Sequence, residues 1–395
     1  MPLIYLDNNA TTMVDPRVVD AMLPWLREQY ANPSSVHLFG QQARHAVETA
    51  REQVAAAIGA RPRQIVFTSG GTEANNLAIR GTLAARPDKH HVVTTAVEHD
   101  SVLRPARQLE REGYRVTYLG VDPLGRLDPA EFEAALTDDT ALASVMHANN
   151  ETGVIFPIEQ LGEIAASHGV PLHVDATQTV GKLPVDVSRL PVQLLSMAAH
   201  KFHGPKGVGA LCVRRGTRVE PQLFGGHQER DLRPGTENVP AIVGMGIALH
   251  LAVEHLEEEN TRVRDLRDRL ERGIVDSIAI AHFIGDRRAR LPNTANVAFA
   301  GLQAEAILML LSNEGICASS GSACSSGSLE PSHVLAAMGI DPHVAHGAIR
   351  LSLSRFTTEQ EIDDTLGVLP GLIGRLQALE PHEIRPSSRV SAVKG

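Results

Sequence analysis

The stretch Ile65-Val66-Phe67-Thr68-Ser69-Gly70-Gly71-Thr72-Glu73 decides the fold expected for this 395-residue chain. Its apolar start predicts a short buried strand that the glycine pair ends, and a helical composition resumes at Glu73. Glycines between a strand and a helix let backbone N–H groups approach an anion at the helix N-terminus, and Thr72 can add a hydroxyl donor. A tight turn without any ligand would explain the same residues.

The alternation of strand and helix continues from about residue 41 to residue 215. A helix is predicted over residues 41–58, and further strands at 91–95, 115–119, 142–146, 172–175, 192–196 and 208–213. This order predicts an α/β fold with a mainly parallel, seven-stranded sheet covered on both faces. One long helix over about 239–272 would then lead to a second lobe, with strands at 295–299 and 348–353 and helices at 304–313 and 358–372.

The chain has 46 acidic against 37 basic side chains and a formal net charge of -9. Nucleic acids and anionic membranes attract a basic face, so we expect no direct contact with either. No run of about 18 uninterrupted apolar residues occurs, and the N-terminus lacks the pattern of a signal peptide. The predicted location is the cytoplasm. Three cysteines are too few for a disulfide framework, and no resident metal site is expected.

Four polar clusters follow separate predicted strands, at residues 69–76, 98–99, 175–178 and 200–201. Ligands of such sheets bind beyond the carboxyl ends of the strands, so the fold would bring these clusters together. Asp175 predicts either a helix N-cap or a partner for a protonated pyridine nitrogen. Lys201 could be an ordinary surface lysine, but its place after an apolar strand and beside His200 favours a buried amine that bonds covalently to a cofactor.

Cys324 lies among small polar residues, Ser319 to Ser328, that cannot bury it. Cys212 falls inside an apolar strand and Cys317 directly follows Ile316, so both are predicted to be buried, inert thiols. A free thiol is only a few per cent thiolate at neutral pH, and a nearby cation or helix end would have to activate Cys324. The alternative is an incidental cysteine in a surface loop.

Eight motifs match one known family in order and spacing: YLDNNATT (5–12), TSGGTE (68–73), EH (98–99), MHANNE (146–151), HVDATQ (173–178), HK (200–201), GT (235–236) and SGSAC (320–324). They resemble the cysteine desulfurases of the NifS/IscS type, in class V of the pyridoxal-phosphate aminotransferases. The resemblance extends from residue 3 to about residue 375. It implies a fold type I pyridoxal-phosphate-dependent transferase that forms a homodimer. A large cofactor-binding domain would cover residues 15–260, a smaller α+β domain residues 1–14 and 261–380, and a mobile tail residues 381–395.

The resemblance also implies a role for each site residue. Lys201 would bind the cofactor covalently and move the substrate Cα proton, while His99 would stack on the ring and assist proton transfer. The remaining cofactor contacts would be Asp175 to the pyridine nitrogen, Gln178 and Asn150 near the ring hydroxyl, and Gly71, Thr72, His200 and a second subunit's Thr236 around the phosphate.

Substrate handling is implied in the same way. Arg350 would clamp the carboxylate of L-cysteine, near Asn150, with Arg355 as the second choice. Cys324 would attack the substrate sulfur, which gives alanine and a persulfide. The persulfide would pass to an acceptor protein such as an iron–sulfur scaffold, although tRNA thiolation, DNA sulfur modification and cofactor biosynthesis remain open.

Two residues depart from the family pattern. Ala198 stands where many relatives have a serine that bonds the phosphate, so we expect cofactor binding to survive with the loss of one hydrogen bond, about 0.5–1.5 kcal/mol. Pro234 stands where relatives usually have a small residue, which could stiffen the loop of Thr236. Rival functions are a selenocysteine lyase or dual-substrate enzyme, a plain transaminase, and a scaffold without catalysis.

Overall fold

A computed structural model describes residues 3–320 and 332–379 of the chain. The strands in these ranges are β1 Ile4–Tyr5, β2 Ile65–Thr68, β3 His91–Thr95, β4 Arg115–Leu119, β5 Thr140–Met146, β6 Leu172–Asp175, β7 Leu194–Ala198, β8 Gly209–Val213, β9 Ala281–Phe283, β10 Thr294–Phe299, β11 Ile316–Cys317, β12 Ser319–Ser320 and β13 Ala348–Ser352. The helices are α1 Pro16–Arg27, α2 Leu38–Ala57, α3 Gly71–Ala84, α4 Asp100–Arg111, α5 Pro129–Ala135, α6 Ile158–Ser167, α7 Val239–Glu254, α8 Leu256–Glu258, α9 Arg264–Ser277, α10 Ala304–Asn313, α11 His333–Ala337, α12 Pro342–Ala345 and α13 Glu359–Leu379.

The central sheet has seven strands in the order β2-β8-β7-β6-β5-β3-β4. All neighbours are parallel except β8, which runs antiparallel to both β2 and β7. The predicted α/β fold with a mainly parallel sheet is confirmed. The strand predicted at 192–196, however, is observed as Leu194–Ala198, because Val192 still belongs to the preceding turn and donates its N–H to the Leu190 carbonyl at 2.9 Å.

Alternation along each strand gives the sheet two buried faces. One face packs against α3 and α4 and contains Val66, Val92, Leu142, Leu194 and Leu211. The opposite face packs against α1, α2, α6 and α7 and contains Phe67, Val93, Ala143, Val145 and Leu195. Each fully buried valine, leucine or phenylalanine contributes roughly 1.5–3 kcal/mol, so the doubly covered sheet is a rigid support for whatever its strand ends carry.

The single long helix predicted over residues 239–272 is wrong. After α7, the short α8 leads into a π-helical turn at Glu259–Val263 before α9, and the two long segments are bent by 56°. The bend falls at His255, and the π-helical turn that follows contains Asn260, whose side-chain nitrogen donates to the carbonyls of Leu256 at 2.8 Å and Lys182 at 2.9 Å. A side chain that bonds into the helix backbone and also to a neighbouring segment disturbs the regular hydrogen-bond ladder.

A second apolar core lies around the four-stranded sheet β12-β13-β10-β9. Helices α9, α10 and α13 cover this sheet, and Ile4 and Leu6 from the chain start are buried in the same core. β1 pairs in parallel with β11, which fixes the N-terminal segment against the later part of the chain. The predicted tail, residues 381–395, lies outside the described residues.

Within residues 3–320 and 332–379, no single helix is both long and apolar enough to cross a membrane. The bent pair made by α7 with α8 and α9 would meet the requirement by length and composition alone.

Candidate active site

A cavity of about 290 Å³ opens beyond the carboxyl ends of β5, β6 and β7. This is where the sheet topology predicts a ligand site. Its lining consists of Ala10, Gly71, Thr72, His99, Ser101, Met146, Ala148, Asn150, Asp175, Thr177, Gln178, Ala198, His200 and Lys201. The predicted polar clusters therefore meet at one place, although the chain separates them widely.

The N-terminus of α3 faces this cavity through two glycines. Gly70 has a φ of 154°, a conformation that residues with a side chain rarely adopt. A Cβ atom added to Gly71 would lie 3.1 Å from the Thr177 hydroxyl and 3.5 Å from the Ala198 Cβ atom. That hydroxyl is buried and has no hydrogen-bond partner within residues 3–320 and 332–379. The close backbone, the open helix end and the unpaired hydroxyl fit an anionic group such as a phosphate.

Asp175 lines the same cavity. It ends β6, is 7% exposed, and accepts hydrogen bonds from Asn75 Nδ2 at 2.8 Å and from the Thr177 N–H at 2.9 Å. The bond to Thr177 resembles the capping role considered from the sequence. The same carboxylate still lines the cavity, where it can accept a proton-bearing ring nitrogen.

Lys201 lies on a single 3₁₀ turn, Ala199–Lys201, that follows β7. Its Nζ atom donates to the backbone carbonyl of Asn9 at 2.6 Å and to that of Ala10 at 2.9 Å. The N-terminal motif therefore reaches across from the second apolar core and holds the amine at the cavity. Because both acceptors are backbone carbonyls, the residue types of the motif do not predict this contact.

Both histidines of the cavity are held in the neutral form at neutral pH. Burial, followed by the charge of Lys201, lowers the pKa of His99, and the same two causes lower the pKa of His200 to about 4. The His99 Nδ1 atom accepts the Ser101 N–H at 3.1 Å, so the neutral ring carries its proton on Nε2. His200 is fixed by a contact of 3.2 Å between its Nδ1 atom and the Thr11 hydroxyl.

The two arginines that the sequence offered for substrate binding differ in position. Arg350 does not line the cavity itself but contacts a residue that does, because its Nη1 atom donates to the Asn150 carbonyl at 3.1 Å; its Nη2 atom donates to Asp7 at 2.7 Å. Its Nε atom is buried without a hydrogen-bond partner among the described residues. Arg355 instead binds Asp15 at 2.8 Å and does not line the cavity.

Not every predicted site residue can be placed at this cavity. Thr236 is exposed and does not line it, and Cys324 lies outside the described residues. Cys212 is buried, and burial raises its pKa to about 12, which agrees with an inert thiol. The prediction that Cys317 is buried is wrong, because it ends the two-residue strand β11 and is only half-buried.

Two contributors had no role assigned from the sequence. Asn75 orients Asp175 and also donates to the Ser101 hydroxyl at 2.8 Å, and Thr177 presents its unpaired hydroxyl. Asn75 lies one helical turn after Gly71, so helical spacing from the glycine pair could have indicated it. Thr177 lies inside the quoted motif at residues 173–178 and could have been considered there.

The sequence of the chain was compared with known families and proteins. Residues 4–365 match the family described as aminotransferase class-V. The chain belongs to this family. It is 54% identical to a cysteine desulfurase of Trichormus azollae over 97% of this chain and 96% of the relative. It is 51% identical to the cysteine desulfurase NifS of Azotobacter vinelandii over 96% of this chain and 94% of the relative.

Structural comparison agrees with the sequence match. A solved NifS-like protein superposes with a TM-score of 0.90 at 40% identity, covering 95% of this chain and all of the other. The resemblance to the NifS/IscS type is therefore confirmed, and with it a pyridoxal 5′-phosphate-dependent enzyme. The cavity fits that cofactor, because it offers an anion-binding helix end, a carboxylate for the ring nitrogen and a buried amine within one lining.

Proposed function

We propose that this protein is a cysteine desulfurase that converts L-cysteine into L-alanine and collects the sulfur as a persulfide on Cys324. The meeting of Lys201, Asp175 and His99 in one cavity is the observation that supports it most directly. The names of the relatives support the choice of reaction.

Each cofactor contact follows from the lining. Pyridoxal phosphate supplies an electron sink for bond breaking at the substrate Cα and Cβ atoms. Asp175 keeps the ring nitrogen protonated, Gln178 and Asn150 bind near the ring hydroxyl, and Gly71, Thr72 and His200 bind the phosphate. A Thr236 hydroxyl from a second copy would complete the phosphate site.

Proton transfer and substrate orientation use the remaining groups. The Lys201 amine, aimed by the carbonyls of Asn9 and Ala10, would move the Cα proton of the bound substrate. His99 would stack on the cofactor ring and present the proton of its Nε2 atom. The Arg350 guanidinium, next to the lining residue Asn150, would bind the substrate carboxylate, and its buried Nε–H has no hydrogen-bond partner among the described residues.

The sulfur step requires a thiolate at the substrate sulfur. The Cys324 thiolate attacks that atom, the Cβ–S bond breaks, and an S–S bond forms, so the products are alanine and a persulfide without any external oxidant. Ser332, which follows the cysteine-bearing segment, donates to the buried Glu151 at 2.5 Å. Its neighbour His333 lies 3.0 Å from the Glu98 carbonyl, next to His99 in sequence. One end of the segment is therefore anchored beside the cavity.

We further propose that the persulfide passes to an acceptor protein in iron–sulfur cluster assembly, in the cytoplasm. The enzyme would act as a homodimer, with residues 15–260 as the cofactor domain and residues 1–14 and 261–380 as the smaller domain. Exposed Phe224, Val36 and Tyr30, at 89%, 87% and 76%, support a covering subunit, because such side chains are usually buried.

One assay tests the function. Purified protein loaded with cofactor receives L-cysteine or L-selenocysteine, and alanine and protein persulfide are measured. Lys201→Ala should lose the visible absorbance of the bound cofactor and all turnover. Cys324→Ser should keep the cofactor, bind cysteine and form no persulfide, whereas the control Cys317→Ser should behave as wild type.

Each other outcome of this assay would point to a different reading of the protein. Normal persulfide transfer by Cys324→Ser would refute the assigned nucleophile. Alanine from selenocysteine alone would indicate a selenocysteine lyase, and a keto-acid product would indicate a transaminase. A protein that binds the cofactor but turns over neither amino acid would be a scaffold.

A further inference from the structure

Lys182 is a buried lysine to which the proposed reaction gives no role. It is 5% exposed and does not line the cavity. Its Nζ atom donates to the side-chain oxygen of Gln178 at 3.0 Å and to the Gln178 backbone carbonyl at 3.3 Å. The lysine therefore lies directly behind a residue that does line the cavity.

These contacts fix which way the Gln178 amide points. The Lys182 amine donates to the Oε1 atom at 3.0 Å, and the Asn9 carbonyl can only accept, so it holds one N–H of Nε2 at 3.0 Å. Exchanging the oxygen and nitrogen of the amide would place donor against donor and acceptor against acceptor. The second N–H of Nε2 is the group left to serve a ligand.

We propose that Lys182 is a positioning residue that holds the Gln178 amide with its N–H, and not its oxygen, toward the cofactor ring. The inference rests on the proposed contact between Gln178 and the cofactor. A fixed donor stabilises the ring oxygen in its anionic form, whereas an amide free to rotate would also present a repelling oxygen.

The surroundings of Lys182 keep it in place. Asn260 donates to its backbone carbonyl at 2.9 Å from the π-helical turn, and the neighbouring residue Glu259 is buried at 4% exposure. Burial lowers the pKa of Lys182 and raises that of Glu259, and the charge of each partner opposes the shift of the other. The π-helical turn therefore brings the Asn260 amide to the Lys182 backbone and the Glu259 carboxyl near the Lys182 amine. Such turns are frequent at functional sites.

Cofactor binding to the full-length protein tests the proposal through a double-mutant cycle. Lys182→Met, Gln178→Ala and the double variant are compared with wild type by the dissociation constant of pyridoxal phosphate and by the position of the visible band. Lys182→Met should weaken binding by about threefold to tenfold and shift the band. In the Gln178→Ala background the same change should alter binding by less than about twofold.

Controls separate positioning from folding. Lys89→Met, at a half-exposed lysine, should leave both readouts unchanged. If Lys182→Met does not fold, the double variant Lys182→Met/Glu259→Gln takes its place, because it removes both buried ionisable groups. Equal effects of the lysine change in both backgrounds, or no effect in either, would overturn the proposal. A Gln178→Ala protein with wild-type binding and band would overturn it too. None of these outcomes would contradict the proposed desulfuration of cysteine by the wild-type protein.

Discussion

Glu98 offers a quantitative test of how the buried strand ends are held together. It is fully buried, and its Oε1 atom accepts the Met146 N–H at 2.8 Å and the Thr95 hydroxyl at 2.9 Å. Burial raises the pKa of this carboxyl from 4.5 to about 8, so it is protonated at neutral pH. Glu98→Gln keeps the accepting oxygen and replaces the protonated oxygen by an amide, which cannot ionise.

The free energy of unfolding depends on pH here because the pKa of Glu98 differs between the folded and the unfolded chain. A carboxyl whose folded pKa lies above its unfolded pKa stabilises the fold fully at low pH, and this contribution falls as the pH rises through the folded value. With ionisation near 8 in the folded chain and 4.5 in the unfolded chain, the loss amounts to roughly 3–4 kcal/mol between about pH 5 and pH 8. The Glu98→Gln protein lacks this loss.

Thermal unfolding of both proteins at several pH values, with saturating cofactor, measures the difference. Relative to wild type, the melting temperature of Glu98→Gln should rise by roughly 5 °C from pH 5 to pH 8. The exposed control Glu163→Gln should follow wild type at every pH. A Glu98→Gln protein whose melting temperature keeps a constant offset from wild type would refute a neutral Glu98.

Three further variants test the cavity. Ala198→Ser should tighten pyridoxal phosphate binding by about 0.5–1.5 kcal/mol, measured by equilibrium dialysis, because a hydroxyl would join the phosphate site; unchanged or weaker binding would contradict it. Arg350→Lys should lower kcat/KM for cysteine about 10- to 100-fold, mainly through KM, since a lysine cannot form two parallel bonds to a carboxylate; an unchanged KM would contradict the clamp. Arg355→Lys should lower the melting temperature through its buried pair with Asp15 and leave KM unchanged, and a raised KM would favour the second choice.

The parts of the site that the sequence predicts are side chains at the ends of buried strands. Asp175, His99 and Lys201 each follow an apolar run, and strand order alone brings such positions to one edge of a sheet. The central sheet was predictable for the same reason, because period-two burial and glycine turns are local signals. Strand limits shifted where a turn residue such as Val192 is as apolar as the strand, and where a buried threonine such as Thr140 extends the strand beyond its apolar run.

The parts that escaped prediction depend on contacts between distant segments. The π-helical turn before α9 contains Asn260, which reaches Lys182, a pairing that no local pattern contains. The sequence ranked Arg350 ahead of Arg355 only through the family resemblance, and their physical difference is in their distant partners, Asp7 and the Asn150 carbonyl against Asp15. Backbone acceptors are invisible in principle, because any residue type supplies the same carbonyl.

The N-terminal segment, residues 7–12, makes several of these contacts between distant parts of the chain. Asp7 binds Arg350, and the Asn9 carbonyl accepts from both Lys201 and Gln178. Two residues of one short segment thus hold the proposed substrate clamp, the proposed reacting amine and the proposed ring contact. β1 anchors the start of this segment beside β11, and the Thr12 N–H donates to the His200 carbonyl at 2.9 Å, on the turn that follows β7. The segment therefore links the second apolar core to the strand end that carries Lys201, and a displacement of one relative to the other would strain the contacts of the Asn9 carbonyl.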